Sequence, residues 1–152
     1  MSIQGWYYLH ENGDLIYKPN PDSACDIRDS DFARCMWPMD PGNREGAWNI
    51  LVEALALGAH RDRVEALANK WGCDDADAER YADRIGVVLE LDGNAWCAHW
   101  VNFTNMQEHP VGFGATKLEA MAELAKALGL PAGKMWRTTL KDLISSSSKV
   151  AA

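Results

Sequence analysis

The chain has 152 residues, 47% of them hydrophobic and 24% charged, with a formal net charge of −7. This length supports one domain with a sizeable core, and the balance excludes a disordered chain. There is no charged-then-apolar leader and no apolar run of membrane-spanning length, so a cytoplasmic protein without a membrane partner is expected.

The charge is unevenly placed. Residues 1–86 hold 16 acidic and 9 basic residues, which is the whole of the −7, whereas residues 87–152 hold six of each. Such a chain is poorly suited to gripping phosphates, and no direct nucleic-acid partner is expected. Four cysteines (Cys25, Cys35, Cys73 and Cys97) form no C-x-x-C pair and read as free thiols. Seven tryptophans are a high count. Most belong in a core, but one or two on the surface would be anchors for a protein partner.

The first predicted element is a hairpin. Gly5 to His10 and Leu15 to Lys18 flank Glu11-Asn12-Gly13-Asp14, and Asn-Gly between aromatic-rich runs is a strong hairpin signal. A lone ribbon is barely stable, so this hairpin is expected to join or cover the later sheet. Residues 19–43 read as a long irregular loop holding four of the six prolines, with Asp22, Asp26, Asp29, Asp31 and Asp40. Phe32, Met36, Trp37 and Met39 give it side chains to dock with. The twelve-residue calcium-loop pattern is missing, so a solvated acidic loop is favoured over a metal site.

Three short helices follow, over Arg44 to Leu57, Arg61 to Trp71 and Asp75 to Ile85. Each repeats apolar residues at i, i+3, i+4 and i+7 and stops at a glycine: Gly58, Gly72 and Gly86. The last two have a helix-turn-helix look. The second of them, however, enters as DDADAERYADR, which would set carboxylates against phosphates, so the pair reads as a helical hairpin and not a DNA reader.

Val87 to Leu91 and Ala95 to Val101 read as antiparallel strands about Asp92-Gly93-Asn94. A third strand is expected near Met106 to Phe113, suited to an edge by Pro110, Gly112 and Gly114. A helix then begins at the capping box Thr116-Lys-Leu-Glu119, carries Leu118, Met121, Ala122, Ala125 and Leu128 inward, and stops at Gly129 and Pro131. A short helix is expected near Thr138 or Thr139, and Ser145 to Ala152 as a frayed tail.

The fold class expected is therefore α+β. An antiparallel sheet of about three to five strands packs on a C-terminal helix, and a three-helix acidic insertion separates the N-terminal hairpin from this unit. One domain spans 1–144, made of a hairpin (1–18), a helical part (44–85) and a strand-strand-strand-helix unit (86–130), with a disordered tail over 145–152.

No catalytic constellation stands out. Cys97 and His99 share a strand face, but two ligands are not a metal site and no H-x-x-x-H completes one. Gly112-Phe-Gly114-Ala-Thr116 precedes a helix as phosphate loops do, yet it lacks the third glycine of the dinucleotide fingerprint and the Gly-Lys-Ser/Thr of Walker A. No cofactor is expected.

The stretch Val87 to Leu128 resembles the HicB-like antitoxin domain: a strand, the Asp92-Gly93 turn, a second strand, a loop, then G-x-G-x-T-x-x-E-A as Gly112-Phe-Gly-Ala-Thr116-Lys-Leu-Glu119-Ala120. The resemblance implies a β-β-β-α core that works by masking a partner protein. Two departures are an acidic helical insertion before the unit and no recognisable DNA-binding segment after it. The whole chain also resembles small phage and prophage proteins of proteobacteria. Together these lead to a non-enzymatic protein-binding accessory protein, phage or mobile-element encoded, that inhibits a host defence or nucleic-acid-handling protein through an acidic surface. The contact residues expected are Asp74, Asp75, Asp77, Glu79, Asp83 and Trp37. The alternatives are an antitoxin neutralising a small ribonuclease toxin, and a metal-dependent enzyme using the loop aspartates. A homodimer through an open sheet edge is a further expected assembly.

Overall fold

A computed structural model describes residues 5–19, 33–39, 42–100, 110–132 and 139–151. The fold is α+β, and the described residues form two three-stranded antiparallel sheets and five helices.

The first sheet has the order β2-β1-β3, formed by β1 (Gly5–His10), β2 (Leu15–Lys18) and β3 (Ala33–Met39). The β1–β2 turn is the expected one. The Gly13 N–H reaches the His10 carbonyl at 3.0 Å, and Gly13 takes φ +96°, a left-handed conformation that disfavours a side chain. β3 corrects the sequence reading, because it lies within the stretch expected to be irregular. Pro38 hid it. A proline cannot donate to a ladder, but it is tolerated on an edge strand, and β3 is an edge. With β3 beside it the hairpin belongs to a sheet of its own and does not extend the later one.

Three helices follow: α1 (Arg44–Ala56), α2 (Arg61–Lys70) and α3 (Asp75–Ile85). α1 starts at Asn43, whose side chain accepts from the Gly46 amide. It is the central helix: Ala47, Trp48, Ile50, Leu51, Val52, Glu53, Ala54 and Ala56 are all buried. One side meets β3, and others meet α2 and α3. α3 ends at Gly86, left-handed at φ +87°, which turns the chain directly into the second sheet.

That sheet has the order β4-β5-β6, from β4 (Val87–Asp92), β5 (Ala95–Trp100) and β6 (Gly112–Gly114). Asp92 pairs with Ala95, so the two-residue turn is Gly93-Asn94, shifted by one from the Asp-Gly reading. The expected third strand is described over 112–114, and residues 101–109 lie outside the described residues. α4 (Lys117–Ala127) covers this sheet and packs against α1 on its other side. Thr116 caps α4 as expected, accepting from the Glu119 amide at 3.2 Å, while the Glu119 carboxylate reaches the Ala115 amide at 3.4 Å, one residue before the position a capping box uses.

The two glycines ahead of this helix have a packing role. A Cβ on Gly112 would lie 2.2 Å from the Ala120 carbonyl oxygen, and one on Gly114 would lie 2.5 Å from the Glu119 Cβ. They let β6 lie directly on the α4 backbone, which accounts for the G-x-G spacing without a phosphate.

α5 (Leu140–Ala151) begins where expected, with Thr139 and Asp142 exchanging side-chain-to-amide hydrogen bonds at 3.2 and 3.1 Å. It continues across the residues expected to be a frayed tail.

Glu53 ties the two halves together. It is fully buried on α1, where its carboxylate accepts from the Trp37 indole N–H at 2.9 Å and from the Leu140 backbone N–H at 3.1 Å. One carboxylate thus joins β3, α1 and the amino end of α5, where helix N–H groups favour negative charge.

Candidate functional site

The acidic helix α3 was the sequence's strongest functional pointer, and its residues divide by face. Ala78, Tyr81, Ala82 and Ile85 face the core. Asp75, Glu79 and Asp83 recur at i, i+4 and i+8, so they run along one exposed flank. Arg80 and Arg84 lie on the other flank, on the side of Asp77. Arg80, three residues before Asp83, pairs instead with Asp77 at 3.3 Å.

Two expected contact residues are corrected. Asp77 is 9% exposed, and its carboxylate accepts from the Trp48 indole at 2.7 Å, from Arg44 and from Arg80 at 3.3 Å. Burial pushes this carboxyl up, but the hydrogen bonds from Trp48 and Arg44, the Arg44 charge and the Arg80 bond outweigh it and hold the group below the ordinary aspartate range. Arg44 also donates to the Trp71 and Gly72 carbonyls, so this network fastens the α2–α3 turn. Trp37 is 2% exposed and bonded to Glu53, which removes it as a surface anchor. Trp6, Trp48 and Trp100 are buried as well, and Trp71 and Trp96 are half-buried. No described tryptophan is exposed, and Trp136 lies outside the described residues.

The other acidic residues keep surface positions. Asp74 caps α3, accepting from the Asp77 amide at 2.8 Å, and its residue is exposed. Lys117 lies between α3 and α4 at 6% exposure. Its ammonium donates to Glu79 at 3.0 Å and to the Asp75 carbonyl at 3.3 Å, and lies 4.7 Å from the Trp96 ring centroid. Beside it a cleft of about 230 Å³ is lined by Trp48, Cys73, Asp74, Asp75, Thr116 and Lys117 among others. A second groove, of about 150 Å³, runs between Glu79, Ala82 and Asp83 of α3 and Val87, Val88 and Leu89 of β4. Glu90 and Asp92 extend the exposed carboxylates along β4.

Burial pushes the Cys73 thiol up against the pull of Arg44, and burial with Glu90 and Asp92 does the same to Cys97, so neither is an activated thiolate. His99 is buried, with one ring nitrogen 3.1 Å from the Glu90 carboxylate and the other 3.1 Å from the Trp100 carbonyl. The described residues contain no group of three or more His, Cys, Asp or Glu placed to hold a metal ion. The aspartates Asp22, Asp26, Asp29, Asp31 and Asp40 lie outside the described residues. No described helix is long and apolar enough to cross a membrane.

Sequence reasoning missed Glu53, Lys117 and β4 as elements of this arrangement. Glu53 was marked by one acidic letter inside the apolar run LVEALA, but its partners at 37 and 140 are too distant in sequence to read. In comparisons with known proteins, no family model, no curated protein and no solved structure matches the chain.

Proposed function

We propose that this chain is a non-enzymatic protein-binding accessory protein that takes a basic surface of its partner on the exposed flank of α3. The observation that carries the reading is the exposed row Asp75, Glu79 and Asp83 along one flank of α3, with Arg80 paired to Asp77 on the other flank. Asp74 adds to its amino end. Lys117, sunk between the helices and 3.0 Å from Glu79, offsets part of the charge of the stripe and leaves Asp75 and Asp83 as its exposed ends. A face of this kind competes for partner sites built to receive nucleic acid, because carboxylates occupy the place of phosphates. The phage-like resemblance of the chain makes a host defence or nucleic-acid-handling protein the partner class.

The antitoxin alternative draws support from the β4-β5-β6-α4 order, which is the order the HicB-like resemblance implies. In that case the partner is a small basic ribonuclease toxin encoded beside this gene.

The test is capture on the immobilised full chain from lysate of the bacterium carrying the gene, at low and high salt, beside the variant Asp75→Lys with Asp83→Lys. A stoichiometric partner with a basic surface, eluted by salt and lost by the variant, is the expected result. Finding no stoichiometric partner, or one held equally by the variant, would sink the proposal.

A further inference from the structure

We propose that the outer edge of β4 is a strand-addition site for an extended, lysine- or arginine-bearing segment of another protein. This rests on the protein-binding reading above and adds where the contact lies and what backbone form the partner takes.

β4 is an edge of its sheet. With Gly93-Asn94 as a two-residue turn, Asp92–Ala95 is the closing hydrogen-bonded pair, and bonded and non-bonded pairs alternate back from it. Glu90 and Val88 therefore bond inward to Cys97 and His99, while the N–H and C=O groups of Leu89 and Leu91 point outward. Among the described residues no backbone group bonds to them.

Edges of natural sheets are usually short, bulged, covered or interrupted by proline. This one runs six residues with no proline, glycine or register shift. Its last residue but one is Leu91, which at 63% is the most exposed large hydrophobic among the described residues. Among the described residues its protection is charge, from Glu79 and Asp83 across the groove at Val87–Leu89 and from Glu90 and Asp92 on the strand face opposite Leu89 and Leu91. That charge also chooses the occupant. A second copy pairing edge to edge would bring four carboxylates against four more, which opposes a homodimer here. An alternating cationic strand would satisfy the outward backbone groups, lay its apolar face beside Leu89 and Leu91, and set its cations beside Glu90 and Asp92 on the opposite face. The acidic flank by itself would accept any cation, whereas the open backbone edge requires an extended one.

The probe is a blocked decapeptide alternating lysine and valine, titrated into the full chain while amide hydrogen exchange is followed by NMR. The expected result is slowed exchange at Leu89 and Leu91, with affinity falling as salt rises. The same peptide N-methylated along its bonding edge keeps its charge but cannot pair, and should bind about tenfold more weakly or worse. Leu91→Pro blocks the edge at an outward, unbonded N–H and should weaken the unmodified peptide to a similar degree. Leu91→Lys, which leaves the backbone intact, checks that the proline variant is not simply unfolded: it should retain slowed exchange at Leu89 with reduced affinity. Equal binding of the N-methylated peptide, or no protection at Leu89 and Leu91, would overturn strand addition while leaving an acidic docking face standing. A partner captured from lysate whose retention ignores Leu91→Pro would do the same. Concentration-dependent dimerisation of the chain alone, abolished by Leu91→Pro, would overturn it in favour of a second copy. Peptide protection at the edge with no captured partner keeps this site and defeats the wider functional proposal instead.

Discussion

Glu53 and Asp77 are both acidic residues withdrawn from the surface, and their partners assign them different duties. Glu53 accepts from an indole and from a helix-start amide, so removing it strands two donors in the core. Glu53→Ala should cost at least about 3 kcal/mol, from the unsatisfied donors and the space left behind. Glu53→Gln should recover part of that loss, since it keeps one acceptor oxygen. Urea unfolding of the two variants checks this, and equal losses would mean that packing matters and the acceptors do not. Asp77 works through its charge. Asp77→Asn should lose about 1–3 kcal/mol at neutral pH, the usual scale for hydrogen bonds to a charged group. Because the folded carboxyl lies below the unfolded one, its stabilisation is complete above roughly pH 4 and fades as the pH falls through the folded value. The gap between wild type and Asp77→Asn should therefore narrow in acid. A gap unchanged between pH 7 and pH 3 would show that charge is not what Asp77 contributes.

At the scale of elements, what the sequence disclosed depended on whether an element declares its own ends. α1, α2, α3 and α4 each carry a cap or a stopping glycine within reach of an apolar stripe, and all four were readable. β3 carries Pro38 and sits among prolines and aspartates, so local chemistry argued against the strand that β1 nevertheless recruits as its second neighbour. Pairing of that kind is a long-range contact and leaves no local mark. The same limit hid the use of Gly112 and Gly114, whose spacing invited a phosphate-loop comparison although their constraint is a helix backbone pressed against them. Gly112→Ala should cost about 3 kcal/mol or more, since backbone atoms of α4 would have to move. Phe113→Ser, between them and 40% exposed, should cost much less. A thermal melt of the two variants separates the cases, and a benign Gly112→Ala would mean that β6 can shift away from the helix.

For the whole molecule, the division into an acidic half and a neutral half holds in composition but not on the surface. Lys117 counts as a cation of the neutral half, yet it is buried against Trp96 and Glu79, while Glu90 and Asp92 of that half stand exposed on β4. Exposed carboxylates therefore lie on both sides of the boundary that the sequence drew. Two of the six residues proposed from sequence, Asp77 and Trp37, were lost to internal bonding. Composition cannot tell a carboxylate that meets solvent from one that meets an arginine. Lys117→Met should leave the fold close to intact while making the groove more negative, and should tighten a cationic partner at low salt. If Lys117→Met weakens that partner, the groove is held in shape by the Glu79 and Asp75 contacts and its charge is secondary.

The Glu53 bond to Leu140 spans 87 positions along the chain and has a consequence for synthesis. A ribosome that has made β3 and α1 has delivered the carboxylate and its indole, but not the Leu140 amide. The nascent protein must hold the Glu53 side chain without its Leu140 donor until α5 emerges. Polypeptides released early should accordingly be prey for cellular proteases, and stopping translation before residue 139 should yield fragments cleared far faster than the finished product.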